Sequence, residues 1–450
     1  MAIRRAVVER TPTFPALCSA VAFALALTPA AHAQIYSENL PLSHPAIRYF
    51  DGSFDDPATH LAGELESGGI KLDFRAGALG YLPSLLEHLG VNADSQALVF
   101  SKTSFQAHRI SPRNPRAIYF NDSVAVGYVP SGEVLEVAAL DPRQGVVFYT
   151  LDTQKTDRPL LNRREACLSC HQGPATQGVP GILVGSVYPN VLGMPSPVGA
   201  IITDHRTPFE DRWGGWFLDY THPTVDGGGI LGALGPRSRV DSVASDPAEP
   251  ETLDAEGTLK LTLLTKRFDK ANYPTPISDK VALMTLEHQT QMANLLTRLA
   301  WEARISHHEG KTVDPDVEAV VRYMLFVEEA PLPEAIVAVS TFAKTFPQRG
   351  PRDRQGRSLR DFDLQRRLFR YPLSYMVYSP AFDALPGSVR ERIYHRLYDV
   401  LSGKDQSQKF VTLSAEDRRA VLEILRETKP DLPTWWGGLP GPRGTPPSRR

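Results

Sequence analysis

Between residues 97 and 151 the apolar side chains come in short β-branched and aromatic runs broken by turn residues. After about residue 275 they recur every three to four positions instead. The first pattern predicts strands over Ala97–Phe105, Ala117–Val129, Val134–Leu140 and Gly145–Leu151. Pro130-Ser131-Gly132 and Asp141-Pro142-Arg143-Gln144-Gly145 punctuate them. Connections this short favour antiparallel pairing. Two further strands are expected at Gly181–Tyr188 and Val198–Thr203. The second pattern predicts helices over Val281–Arg304, with Ser278 as N-cap, and then over Asp316–Glu329, Pro333–Phe346, Leu359–Phe369, Ser388–Leu401 and Ser414–Glu427.

Residues 34–95 read as irregular apart from a short helix near Pro83–Leu89, and 221–257 as a Gly-rich, then acidic, loop insert. The fold class expected is α+β: an antiparallel β-rich N-terminal half, 34–274, followed by a mainly helical region, 275–429, and a Pro-, Gly- and Arg-rich disordered tail, 430–450.

At the seam of these patterns stands Cys167-Leu168-Ser169-Cys170-His171, in a helix expected over Asn162–His171. C-x-x-C-H is the attachment signature of haem c. Two thiols add across the porphyrin vinyl groups, and the adjacent imidazole is presented to the iron. On a helix the three side chains stand at i, i+3 and i+4, on one face. The same cysteines could form a dithiol redox pair or half a zinc site.

Composition and targeting bear on that choice. Hydrophobic content of 42% and charged content of 22% fit a soluble globular chain. Arg4, Arg5 and Arg10 precede the apolar run Ala16–Leu27, and Ala31-His32-Ala33 fits a cleavage site, so residues 1–33 read as a signal peptide and Gln34 as the mature start. No later stretch is expected to span a membrane. Cys18 leaves with the signal, so Cys167 and Cys170 are the only mature cysteines. They supply neither a disulfide framework nor a complete zinc ligand set. The formal net charge of −2 becomes slightly more negative once three arginines and Glu9 are removed, and nothing favours nucleic acid. A periplasmic or secreted location follows, the setting in which haem c is attached.

The pentapeptide with its export signal resembles the c-type cytochromes. That resemblance implies one covalent haem c, thioether bonds at Cys167 and Cys170, and His171 as proximal iron ligand. The chain is similar to the large, exported, single-haem kind and not to the small class I fold, where the motif opens a helical domain of about 100 residues. Periplasmic haem peroxidases carry two such motifs, and this chain has one. The expected function is electron transfer to a redox partner protein. The alternative is a haem-dependent oxidoreductase acting on peroxide or a small oxidisable molecule at an open distal position, with His205 and Arg206 as catalytic candidates. A third possibility is a structural or gas-sensing haem.

The iron's other face separates these readings. His205 ends a predicted strand in a polar spot near Trp213 and Trp216, which could pack on a porphyrin. His288 recurs with Met284, Met292 and Leu295 on the apolar side of a predicted helix. Met194 sits in a loop 23 residues past His171. These three are the distal-ligand candidates. The arginines at 349, 352, 354, 357 and 360 could receive propionates or an acidic partner.

Overall fold

A computed structural model describes residues 38–190, 192–220, 229–236, 252–253, 259–263, 268–311 and 315–437. The predicted signal segment, much of the 221–257 insert and residues 438–450 lie outside the described residues. The fold is α+β, with a six-stranded antiparallel sheet before the motif and helices after it.

The sheet is a meander of β1 (Ala97–Val99), β2 (Arg116–Phe120), β3 (Val124–Tyr128), β4 (Val134–Asp141), β5 (Gly145–Asp152) and β6 (Leu161–Arg163), in sequential order. The stretch expected as one strand over Ala117–Val129 is therefore two. Asn121 makes the break: its Oδ1 accepts from the backbone N–H groups of Ser123 (3.0 Å) and Val124 (2.8 Å), the short-range turn that asparagine favours. Strand β1 stops early because the N–H groups of Phe100 and Ser101 turn to the carbonyl of Gly215.

Both faces of this sheet are covered, which is why β5 reads as an unbroken apolar run and not as an alternation. On one face Val147, Tyr149, Leu151, Val137 and Val126 pack against α1 (Pro57–Ser67) and α2 (Leu82–His88). Helix α1 lies where the sequence reads as irregular. Asp56 caps it, accepting from Ala58 and Thr59, with Pro57 opening the first turn. On the other face Val146 and Phe148 meet Leu168, Val179 and Trp301, while Ile118 and Phe120 join the helical core.

The motif lies in a short turn, Glu165–Cys167, running into α3 (Leu168–His171). The expected helix over Asn162–His171 is shorter than predicted because Leu161–Arg163 pairs with β5 as β6. Beyond it, β7 (Val184–Pro189) and β8 (Pro195–Thr203) form a hairpin. A second sheet runs β11 (Thr252–Leu253), β12 (Leu259–Leu263), β10 (Gly229–Pro236), β9 (Phe217–Tyr220). Two of its strands fall inside the expected 221–257 loop, where glycines interrupt the apolar run and hide its strand character.

Helix α4 (Lys280–His308) is the central element. Its N-cap is Asp279, whose Oδ1 accepts from Ala282 (2.6 Å). Ser278, the expected cap, instead ties strands together, accepting from Leu98 N–H and donating to Phe217 O. Around α4 stand α5 (Val317–Met324), α6 (Phe342–Gln348), α7 (Pro380–Asp383), α8 (Gly387–Leu401) and α9 (Ala415–Thr428, capped by Ser414). The helices expected over Pro333–Phe346 and Asp316–Glu329 shrink to α6 and α5. Leu359–Phe369 is not helical: Asp363 accepts from Gln365 and Arg366 in a turn, and Phe362 bridges to Phe369. Trp436, in the region read as a tail, is fully buried in the helical core. That core also takes in Ala97, Val99, Ile118 and Phe120, so packing is continuous across the boundary expected at 274–275. No helix among the described residues is long and apolar enough to cross a membrane.

Candidate haem-attachment site

Leu168 is the anchor of α3, buried with Phe148, Val146, Val179 and Trp301. With that side chain pinned inward, Cys167 is half-buried and Cys170 exposed, and both are free thiols. His171 lies against Phe148, ring centroids 4.8 Å apart. Its Nδ1 is 3.0 Å from the carbonyl of Gly181, while the Gly181 N–H donates to the carbonyl of His171 at 2.9 Å. A carbonyl only accepts, so Nδ1 carries the proton and Nε2 keeps its lone pair, with no hydrogen-bond partner among the described residues. A hydrogen bond of this kind orients the ring of metal-ligating histidines. Glycine at 181 also leaves room for the helix behind it: an added Cβ would stand 2.0 Å from Asn294 Oδ1, on α4.

Electrostatics agree with that role. Burial pushes His171 below the ordinary histidine value and Arg116 adds to this, against the Gly181 hydrogen bond and Glu136. The ring is thus neutral at neutral pH, as a metal ligand must be. Burial, with Glu136, pushes the Cys167 thiol up, against Arg164. Dithiol redox centres show the opposite shift, a lowered thiol. Among the described residues no group of three or more His, Cys, Asp or Glu side chains is placed to hold a metal ion, so a zinc site lacks its remaining ligands. The residues fit haem c.

Beside the motif, Arg116 and Glu136 pair across the sheet above Gly127. A Cβ on Gly127 would stand 2.6 Å from an Arg116 Nη atom and 3.0 Å from Glu136 Oε2. Gly127→Ala is expected to displace this part-exposed pair at a cost of about 1 kcal/mol or less, measured as a slightly lower urea midpoint.

The distal and catalytic candidates are placed as follows. His205 and His288 are both buried and meet each other, Nδ1 to Nδ1, at 2.9 Å. The second nitrogen of His288 contacts Ser374 Oγ at 2.7 Å, so both its nitrogens are engaged. The His205 ring is packed on Tyr323 and Phe326, with Nε2 buried and without a hydrogen-bond partner among the described residues. Arg206 is held by Asp204, through Nη2 to Oδ2 (2.7 Å) and Nε to Oδ1 (3.1 Å), and lies over Tyr323. Met194 is 49% exposed at the tip of the β7–β8 hairpin. Trp213 and Trp216 are core residues packed with α4. The five arginines at 349–360 pair with acids of the chain: Asp94, Asp361, Glu427, Asp353 with Glu423, and Asp122.

Comparison with protein-family models, with curated proteins and with solved structures finds no match.

Proposed function

We propose that the chain holds one haem c through thioether bonds at Cys167 and Cys170, with His171 as proximal iron ligand, and works outside the cytoplasm as a mono-haem cytochrome passing electrons to a redox partner protein. The observation that carries this is the His171–Gly181 hydrogen bond. It fixes the tautomer and leaves Nε2 unengaged, one residue from the free thiol of Cys170 and four from that of Cys167. Bound haem supplies a one-electron couple. The chain's own contribution is positional: Leu168 fixes the turn, Phe148 supports the imidazole, and Gly181 sets its orientation. Electron transfer is favoured over small-molecule oxidation because His205 is buried against His288 and the part-buried Arg206 is taken up by Asp204, so neither is presented to a substrate as an acid–base group.

The test is expression with export in a host that attaches haem c. The mature chain is expected to begin at Gln34, and its colour to stay with the protein through acid–acetone extraction. Cys170→Ala is expected to move the pyridine haemochrome band to that of a single thioether, and the double Cys167→Ala, Cys170→Ala chain to retain no covalent haem. Colour that extracts fully from the unmodified chain would overturn the proposal. Electron transfer predicts a ferric spectrum unmoved by peroxide; turnover of peroxide would favour the oxidoreductase.

A further inference from the structure

Phe105 is 67% exposed, yet its place is fixed by its neighbour. Gln106 is buried, and its amide is fully used. Its Nε2 donates to Val134 O and Glu136 Oε1, both at 3.1 Å, and its Oε1 accepts from the N–H groups of Glu133 (2.8 Å) and Val134 (3.3 Å). The phenyl ring is therefore displayed at a set position, where a covering apolar group would remove it from water.

That position borders the motif. The guanidinium of Arg164 lies 5.9 Å from the Phe105 ring centroid, and the Arg164 carbonyl accepts the N–H of Cys167. Glu136, which Gln106 holds, acts on both Cys167 and His171. Arg164 is exposed, with no carboxylate at ion-pair distance among the described residues. An aromatic ring and an uncompensated cation, side by side, match a group that is apolar in its body and anionic at its rim. The tether identifies the occupant. A group bonded to the exposed Cys170 and half-buried Cys167 must lie over the outer surface of the turn, and Arg164 is the residue that opens that turn, with Phe105 beside it.

We infer that Phe105 and Arg164 form the outer wall of the haem site, Phe105 covering the porphyrin and Arg164 pairing with a propionate carboxylate. This rests on the reading that Cys167–His171 holds haem, and the experiment separates the two. The haemochrome assay first establishes covalent haem; if there is none, both fall together. With haem present, the chain is labelled with fluorophenylalanine and studied in the CO-treated ferrous state, Phe105→Leu assigning the resonance. That resonance is expected to shift relative to the haem-free Cys167→Ala, Cys170→Ala chain through the porphyrin ring current. An unmoved resonance in a chain shown to hold haem overturns the placement of Phe105 and leaves the haem reading standing. In Arg164→Gln the propionate is expected to become about threefold weaker as an acid, so the pH dependence of the reduction potential moves up by about half a unit, with Arg164→Lys restoring most of it. An unchanged pH profile in Arg164→Gln overturns the role of Arg164.

Discussion

Replacing Arg212 by methionine is expected to cost the chain about 3–5 kcal/mol, the penalty for stranding a buried charge, read as a large drop in urea midpoint. Arg212 and Glu287 are both buried and meet at 3.2 Å. The same guanidinium donates to the carbonyls of Thr207 (2.7 Å) and His205 (2.8 Å), tying the segment after β8 to α4. Burial pushes the Glu287 carboxyl up, and Arg212 pulls it back. Without Arg212 the folded-state value rises further above the unfolded one. A carboxyl raised in the fold stabilises most below its unfolded value and loses that contribution as pH rises. The variant's deficit is therefore expected to be largest at neutral pH and to shrink towards pH 4.5. Adding Glu287→Gln should recover part of the loss at neutral pH and remove this pH dependence.

The second large effect is acid sensitivity from the His205–His288 pair. Burial pushes both imidazoles down, with His288 and then Arg206 and Arg212 adding to the effect at His205. His288 falls to about 3, with Arg206 as its second cause. A histidine lowered in the fold stays neutral there while the unfolded chain takes up a proton. Its stabilisation is present above the unfolded value, about 6.5, and is lost as pH falls. Each proton refused costs about 1.4 kcal/mol per pH unit, so His288 alone removes about 2 kcal/mol between pH 6.5 and 5. Two buried carboxyls, Glu287 and Asp279, and the part-buried Glu329 (raised to about 7) act in the opposite direction. The measurement is therefore a difference. Between pH 7 and 5, the unmodified chain should lose about 2 kcal/mol or more relative to a chain carrying His205→Gln and His288→Gln. Parallel pH profiles for the two chains would contradict it.

What the sequence revealed followed the range of the interaction. Cys167, Cys170 and His171 announce themselves because their chemistry is set by spacing within one turn. Strands β4 and β5 were legible for the same reason, their apolar runs ending at residues that make turns. The partner of His171 was not, since it is a backbone carbonyl ten residues away, and any residue type has one. Glycine at 181 is the only trace, and its reason, Asn294, lies on a helix more than a hundred residues later. The same limit hid the meeting of His205 with His288, which sequence spacing left as separate distal candidates. Local signals also mislead. Asp56-Pro57 marks the start of α1 by capping chemistry, but the helix carries too few apolar positions for its period to stand out. Leu359–Phe369 has helical spacing without a helix, because its phenylalanines are spent on a bridge and on packing against Phe346 and Tyr375.

Helix α4 is buried along most of its length and unusually polar for such a place: Glu287, His288, Gln289, Thr290, Gln291, Asn294 and Arg298 are all shielded from solvent. Its side chains reach outward in two directions. Asn294 and Arg298 serve the motif loop through the carbonyls of Ile182 and Gln177, while His288 and Gln289 serve Ser374 and Tyr375. The helix is thus a party wall, with both dwellings bolted to it. A fragment ending near residue 274 would keep every residue of the Cys167–His171 motif and lose the Asn294 surface that packs beside Gly181, so the site proposed there depends on the helix as well as on the motif.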